Sequence, residues 1–238
     1  MCLSLIPDYN MGMDEINPLT LKLTAVHEKL MAKYGSPTWR QWLPPVDELV
    51  STILSQSTSD GNRDKGFYAL KEKYPDWEAV MNAPEAEIIA TIRPAGLANQ
   101  KGPRIKQALQ YVHDEQGELS LEFLNDMTLD EAREWLVKIK GVGPKTAAII
   151  LLFGFNRPAF PVDTHVHRIT RRLGLIGPKV SADKAHPILE KMGDPDTYYP
   201  LHLNIIRHGR ETCRARNPLC DQCPITLECD TYQTEIEV

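Results

Sequence analysis

The stretch Ile139-Lys140-Gly141-Val142-Gly143-Pro144-Lys145-Thr146-Ala147 constrains this chain most. Two glycines one residue apart make a tight hairpin, because glycine tolerates positive φ and, lacking a Cβ, lets another backbone come close. Upstream, Thr128 and Glu131 form a capping-box pair, and apolar residues recur at helical spacing as far as Lys138. Downstream, Pro144 takes the first helical position and an apolar run continues to Phe153. The pattern is helix, hairpin, helix. The second helix opens with the amides of Gly143 and its neighbours and with the positive end of its dipole, so its start suits a phosphate. Lys145 lies in its first turn, and Asp163 follows eighteen positions later in Val162-Asp163-Thr164-His165.

Helical spacing also predicts Leu19 to Tyr34, Val46 to Ser55, Gly61 to Lys73 with Asp60 as N-cap, Glu85 to Ile92 and Lys101 to Glu115. Beyond the hairpin it predicts Asp163 to Leu173, Ser181 to Met192 and Tyr198 to Glu211. Convincing strand alternation is absent, and glycine and proline fall mostly between these segments, so the fold class is all-α. Trp39, Trp42, Trp77 and Trp135 read as packing residues. The longest apolar run, Ala147 to Phe153, is too short to cross a bilayer, and the N-terminus lacks the pattern of a secretory signal. A soluble, cytoplasmic protein is the expectation.

The formal net charge of −5 speaks mildly against a nucleic-acid partner, but its distribution speaks for one. Lys138 to Lys179 holds eight basic residues, Arg168 among them, against the single acid Asp163. Asp114 to Glu134 holds eight acids and only Arg133. Such separation suits one basic face turned to phosphates, although scattered cations on a solvated helix would give the same count.

The second constraint is Cys213-x6-Cys220-x2-Cys223-x5-Cys229, four of the five cysteines within seventeen residues. In a cytosolic chain this pattern points to a metal rather than to disulfides. Zinc sites usually pair two short knuckles, whereas here there is one Cys-x-x-Cys flanked by longer, unequal gaps. Four thiolates in one loop favour a cubane iron–sulfur cluster over zinc, the alternative. Arg214 and Arg216 lie in the first gap, where the loop would project them toward a backbone. Cys2 stands alone as a bystander. His165 and His167, two apart, do not share a helix face, which argues against a metal there; His165 reads as a local partner or a phosphate contact.

The hairpin with Lys145, the Val162-Asp163-Thr164-His165 run and the cysteine spacing together resemble the endonuclease III family of helix-hairpin-helix DNA repair glycosylases. The resemblance covers about residues 46–229. It implies a two-lobed fold: a six-helix barrel over 46–157, and a second helical lobe built from 1–45 with 158–238 around a 4Fe–4S cluster held by Cys213, Cys220, Cys223 and Cys229. It implies a cleft between the lobes with Lys145 and Asp163 on opposite walls as the catalytic residues. Taken alone, Lys145 would be a phosphate-binding lysine and Asp163 a helix N-cap.

The chemistry suits the two residue types. Cleaving an N-glycosidic bond builds positive charge at the sugar C1′, which a carboxylate stabilises. A neutral lysine amine then attacks C1′, and the resulting Schiff base permits β-elimination. Because a base inside a duplex is out of reach, the nucleotide must be flipped out. The resemblance implies Leu97 as the wedge in the emptied stack, its alternative being an ordinary loop leucine. It implies a glutamine filler near Gln56, although relatives often carry it one position later, where this chain has Ser57. Lys140 stands where a proline is common and Pro144 where a basic residue is common. Gly141, Gly143, Lys140, His165, Arg168 and Arg214 complete the expected DNA contacts. The implied protein is a monomeric, nucleoid-associated glycosylase and abasic-site lyase acting on oxidised pyrimidines in duplex DNA. A monofunctional glycosylase of the same fold and a non-catalytic cluster protein that binds DNA are the alternatives.

Overall fold

The computed structural model describes residues 17–236; Cys2 lies outside them. Among the described residues every regular element is helical. The α-helices are α1 (Pro18–Tyr34), α2 (Pro45–Ser55), α3 (Asp60–Lys73), α4 (Trp77–Asn82), α5 (Glu85–Thr91), α6 (Ala98–Gln116), α7 (Leu129–Val137), α8 (Pro144–Ile149), α9 (Thr164–Arg172), α10 (Ala182–Glu190), α11 (Tyr198–Glu211) and α12 (Asp230–Ile236). The all-α class is as the periodicity predicts.

Local chemistry sets most boundaries. At α7 both arms of the capping box form: the Glu131 amide donates to Thr128 Oγ1 at 3.3 Å, and the Thr128 amide donates to Glu131 Oε2 at 2.8 Å. Ser59, not Asp60, caps α3, accepting from the Asn62 amide at 3.3 Å. The helix α4 escapes the periodicity because it has only six residues, too few for a repeat; Asp76 starts it by accepting from the Ala79 amide at 2.7 Å. The helix α6 begins at Ala98, three residues before the predicted Lys101. The predicted run from Pro144 to Phe153 divides into α8 and one π turn over Ile150–Gly154.

Two hydrophobic clusters carry the packing. The first is drawn from the middle of the chain, with Leu49 and Ile53 of α2, Ile105 and Leu109 of α6 and Leu136 of α7 fully buried. The second joins Val26 and Leu30 of α1 to Phe160, Val166, Ile169, Leu201 and Ile205. Each such side chain contributes about 1.5–3 kcal/mol on burial. The ion pairs Arg133–Glu190 (2.9 Å) and Arg210–Asp60 (3.0 Å) tie elements of one cluster to elements of the other.

Trp77 and Trp135 pack in the first cluster, and half-buried Trp39 donates to the Leu152 carbonyl at 2.9 Å. Trp42 departs from its expected packing role. It is 62% exposed, with the Arg40 guanidinium 3.2 Å from its ring centre and its Nε1 donating to the Tyr199 hydroxyl. A cation on its face and one hydrogen bond take the place of a core site.

Lys101 was expected only as an ordinary helix residue. It is 1% exposed, and its ammonium donates to the carbonyls of Leu54 (2.7 Å) and Ala95 (2.8 Å). Burial pushes its pKa down. This one side chain fastens the end of α2 to the turn that precedes Leu97. Lys101→Met leaves both carbonyls without that donor, so urea unfolding is expected to show a loss of about 1–3 kcal/mol. A loss below about 0.5 kcal/mol, the range of surface substitutions, would contradict the brace.

Candidate active site and metal centre

Three loops meet at the end of the first cluster. Gly141 has φ +91°, in the region that favours glycine, and its carbonyl accepts from Gln56 Nε2 at 3.0 Å. Arg104 Nη1 donates to the other end of the same amide, Gln56 Oε1, at 3.0 Å. A Cβ on Gly96 would lie 4.0 Å from Thr58 Oγ1, so the 55–59 and 93–98 loops run side by side. Gly143 is extended (φ −100°), and a Cβ built on it meets nothing within 4 Å. Its place is therefore set by open space at the start of α8 and not by strain. The first helical bond of α8 runs from the Ala147 amide to the Gly143 carbonyl, so the amides before it point out of the helix end.

Leu97 lies at the tip of this surface. Its backbone is left-handed (φ +50°) and its side chain is 49% exposed beside Arg93, Asn99 and Gln100. A leucine held at positive φ and half in water is costly twice over. Lys140, Lys145 and Arg214 are exposed. Lys145 thus stands on the surface, not buried in a cleft wall.

Two expected DNA contacts are otherwise engaged. Gln56 braces the hairpin with both ends of its amide, keeping one N–H and one oxygen lone pair for a further partner. Arg168 Nη2 donates to the carbonyls of Gly209 (3.0 Å) and Cys213 (2.9 Å) and lies 3.2 Å from His165 Nδ1. Its guanidinium fastens α9 to the end of α11 and the cysteine loop. His165, half-buried, packs there too, and burial first, then Arg168 and Arg210, push its pKa down against the pull of Asp163. Gly209 makes this packing possible: a Cβ would fall 2.5 Å from His165 Nδ1.

Asp163 is half-buried and caps α9, its Oδ1 accepting from the Val166 amide at 2.8 Å. The extended segment before it is fixed at successive positions. Glu190 Oε1 accepts from the Phe160 amide at 2.8 Å, and His186 Nδ1 lies 2.9 Å from the Phe160 carbonyl. His202 of α11, 3% exposed, stands edge-on to Phe160 of that segment, and burial pushes its pKa down to about 4. No sequence pattern pointed to His202, which is one apolar-face histidine among several.

The cysteine loop encloses a cavity of about 220 Å³ with Cys213, Cys220, Cys223 and Cys229 in its wall, beside Arg172 and Leu219. The four are thiols, not disulfides. Burial and mutual repulsion push the Cys223 thiol up to about 11 and Cys229 in the same direction, so only added positive charge would let them ionise together. Among the described residues no three His, Cys, Asp or Glu side chains converge on a point that holds a single ion. A void ringed by four thiols fits a cluster. Arg172, missed in the sequence, holds the loop by donating to Cys213 Sγ (3.1 Å) and to the carbonyls of Arg214 and Ala215.

No helix among the described residues is long and apolar enough to cross a membrane. Residues 50–195 match the family described as HhH-GPD superfamily base excision DNA repair protein, and residues 213–226 match the iron-sulfur binding domain of endonuclease III. Endonuclease III of Thermotoga maritima is 33% identical over 189 residues, 79% of this chain and 84% of that protein. An Arabidopsis thaliana protein named as a DNA glycosylase is 34% identical over 178 residues, and the match spans 75% of this chain and 58% of that relative's length. A solved structure of a trapped endonuclease III–DNA covalent intermediate superposes with a TM-score of 0.76 at 25% identity, covering 91% of this chain and 98% of the other. The chain carries a 4Fe–4S cluster. It belongs to the HhH-GPD superfamily of base excision DNA repair proteins and is a DNA glycosylase of that family.

Proposed function

We propose that this protein is a bifunctional glycosylase and abasic-site lyase that removes oxidised pyrimidines from duplex DNA, working as a monomer at the nucleoid. The observations that support this reading are an exposed lysine, Lys145, in the first turn of α8 and a half-buried carboxylate, Asp163, at the cap of α9, in a chain of this repair family. As the base departs, the Asp163 carboxylate opposes the positive charge growing at C1′. The neutral Lys145 amine attacks C1′ and becomes a Schiff base. The C2′ proton, acidified by the imine, is lost to solvent, the 3′ phosphate leaves by β-elimination, and water hydrolyses the imine to free the lysine. Retention of the Asp163 cap bond is compatible with this role, since only one carboxylate oxygen is used by the Val166 amide.

The remaining roles follow from position. Leu97 wedges the stack, while the outward amides near Gly141 and Gly143, with Lys140, receive a phosphate. His165 borders the Asp163 side, and Arg214 contacts the backbone from the cysteine loop. Cys213, Cys220, Cys223 and Cys229 ligate the cluster, which when bound supplies a cross-link that shapes that loop. The chain forms two lobes, 46–157 and the remainder, with the substrate between them; the two hydrophobic clusters support this in outline, with Leu152 packing in the second and Ala159 in the first.

Duplexes carrying a single oxidised pyrimidine, uracil, mismatched thymine or abasic site test the proposal. The expected result is excision of the oxidised pyrimidine with strand cleavage in the same incubation. Base loss that leaves strands intact until alkali is added would overturn the lyase half.

A further inference from the structure

The stretch 159–163, which delivers Asp163, belongs to no regular element, so its backbone polar groups need partners of their own. At Phe160, 1% exposed, both come from α10. The amide donates to Glu190 Oε1 at 2.8 Å, and the carbonyl lies 2.9 Å from His186 Nδ1, one turn earlier on the same helix. The same Glu190 oxygen accepts from Arg133 Nη2 at 2.9 Å. Arg133 belongs to α7, the helix that runs into the hairpin, and its Nη1 donates to Asp130 at 3.3 Å. Side-chain exposure is 26% at Arg133 and 15% at Glu190, so solvent screens this pair less than it screens a surface pair. The helix α10 also packs against α8, which opens with Lys145, and against α9, which Asp163 caps. One carboxylate oxygen thus joins the helix before the hairpin to the residue three positions before Asp163.

Replacing a partly buried ion pair by apolar side chains is often neutral for stability, so what this pair adds is geometry. We propose that Glu190 is a positioning residue for Asp163: by holding Arg133 and the Phe160 amide on one oxygen, it sets how far the Asp163 carboxylate stands from a sugar bound at the hairpin. The inference rests on Asp163 being the carboxylate that opposes the charge at C1′. The competing account makes the Arg133–Glu190 pair an ordinary strut whose loss lowers stability alone.

Two duplexes separate these accounts without any lesion having to be identified. One carries a pyrrolidine nucleotide, whose cationic ring nitrogen stands in for the charged sugar of the transition state. The other carries the neutral tetrahydrofuran analogue of an abasic site. The ratio of their dissociation constants, measured at fixed salt with the cluster-loaded protein, reads the carboxylate facing C1′ and cancels what the two complexes share. The parent is expected to prefer the pyrrolidine duplex by about a hundredfold or more, and Asp163→Asn to remove the preference. Glu190→Ala, which frees both Arg133 and the Phe160 amide, is expected to cut the preference by about tenfold or more and to change nothing further in the Asp163→Asn background. Arg133→Met keeps the bond from Phe160 to Glu190 and is expected to cut the preference by about threefold or more. Affinity for the tetrahydrofuran duplex is expected to stay within about threefold of the parent in both variants, because the phosphate contacts remain. A parent-like preference in Glu190→Ala, or an equal further loss in the Asp163→Asn background, overturns the proposal. Should Glu190→Ala not fold, Arg133→Met decides, and a parent-like preference there overturns it. A parent with no preference, or a preference that survives Asp163→Asn, overturns the reading of Asp163 instead, so the two failures are distinct.

Discussion

Cys223→Ala is expected to remove the visible absorbance of the cluster together with its iron and sulfide, and to lower stability by more than about 4 kcal/mol. The size of the effect follows from what else holds the loop. Between Thr212 and α12 the regular structure consists of the short 3₁₀ turns Cys220–Gln222 and Thr226–Glu228. The loop's polar anchors include the bond from the Leu219 amide to the Thr212 carbonyl, three donations from Arg172, those of Arg168 to the Cys213 carbonyl and of Lys33 to the Gln222 carbonyl, and the Lys29–Glu228 pair. Ile225 is the loop's buried apolar anchor, while Leu227 is 76% exposed. A metal centre joins the four cysteines beyond what this packing supplies. Without it, four thiols line a void, those of Cys223 and Cys229 with raised pKa, and Arg214 and Arg216 lose the frame that presents them. DNA affinity should fall by about tenfold or more, measured by titration at fixed salt. Parent-like iron content and melting in Cys223→Ala would contradict this account of the loop.

Lys145→Ala is expected to slow strand cleavage at an abasic site by at least about a thousandfold while leaving the fold intact. Lys145 is exposed, so its truncation should change unfolding free energy by no more than about 0.5 kcal/mol. Duplex binding should stay within about threefold of the parent, because the hairpin amides, Lys140 and Leu97 remain. Large loss of chemistry with small loss of binding is the signature of a group that acts in the transition state. Equal losses in both would reduce Lys145 to a phosphate contact, the role a lysine at a helix start has by default.

The helical class, the hairpin, the capping box at Thr128 and Glu131, and the cluster loop were legible because each depends on residues close in sequence. Glycine spacing, cap chemistry and cysteine spacing act over a few positions. What escaped depends on tertiary neighbours. Lys101 looks like any helix lysine until Leu54 and Ala95 close over it. Gly209 looks like a weak helix residue until His165 and Arg168 need its missing Cβ. Arg168 counts toward a basic face in the sequence, but its donors go to the carbonyls of Gly209 and Cys213. Gln56 illustrates the same point, since Arg104, forty-eight positions away, decides where its amide points. His202 carries no local signal at all; its buried place against Phe160 arises only when α11 packs against the segment before α9.

The most direct test of the central claim is to trap the protein on an abasic-site duplex with borohydride, digest it, and identify the peptide that carries the sugar. The account predicts a single modified amine, on Lys145, and its disappearance when Asp163 is left in place but residue 145 is alanine. An adduct on Lys140 or on the chain's terminal amine, or no adduct from a protein that still cleaves the strand, would contradict it.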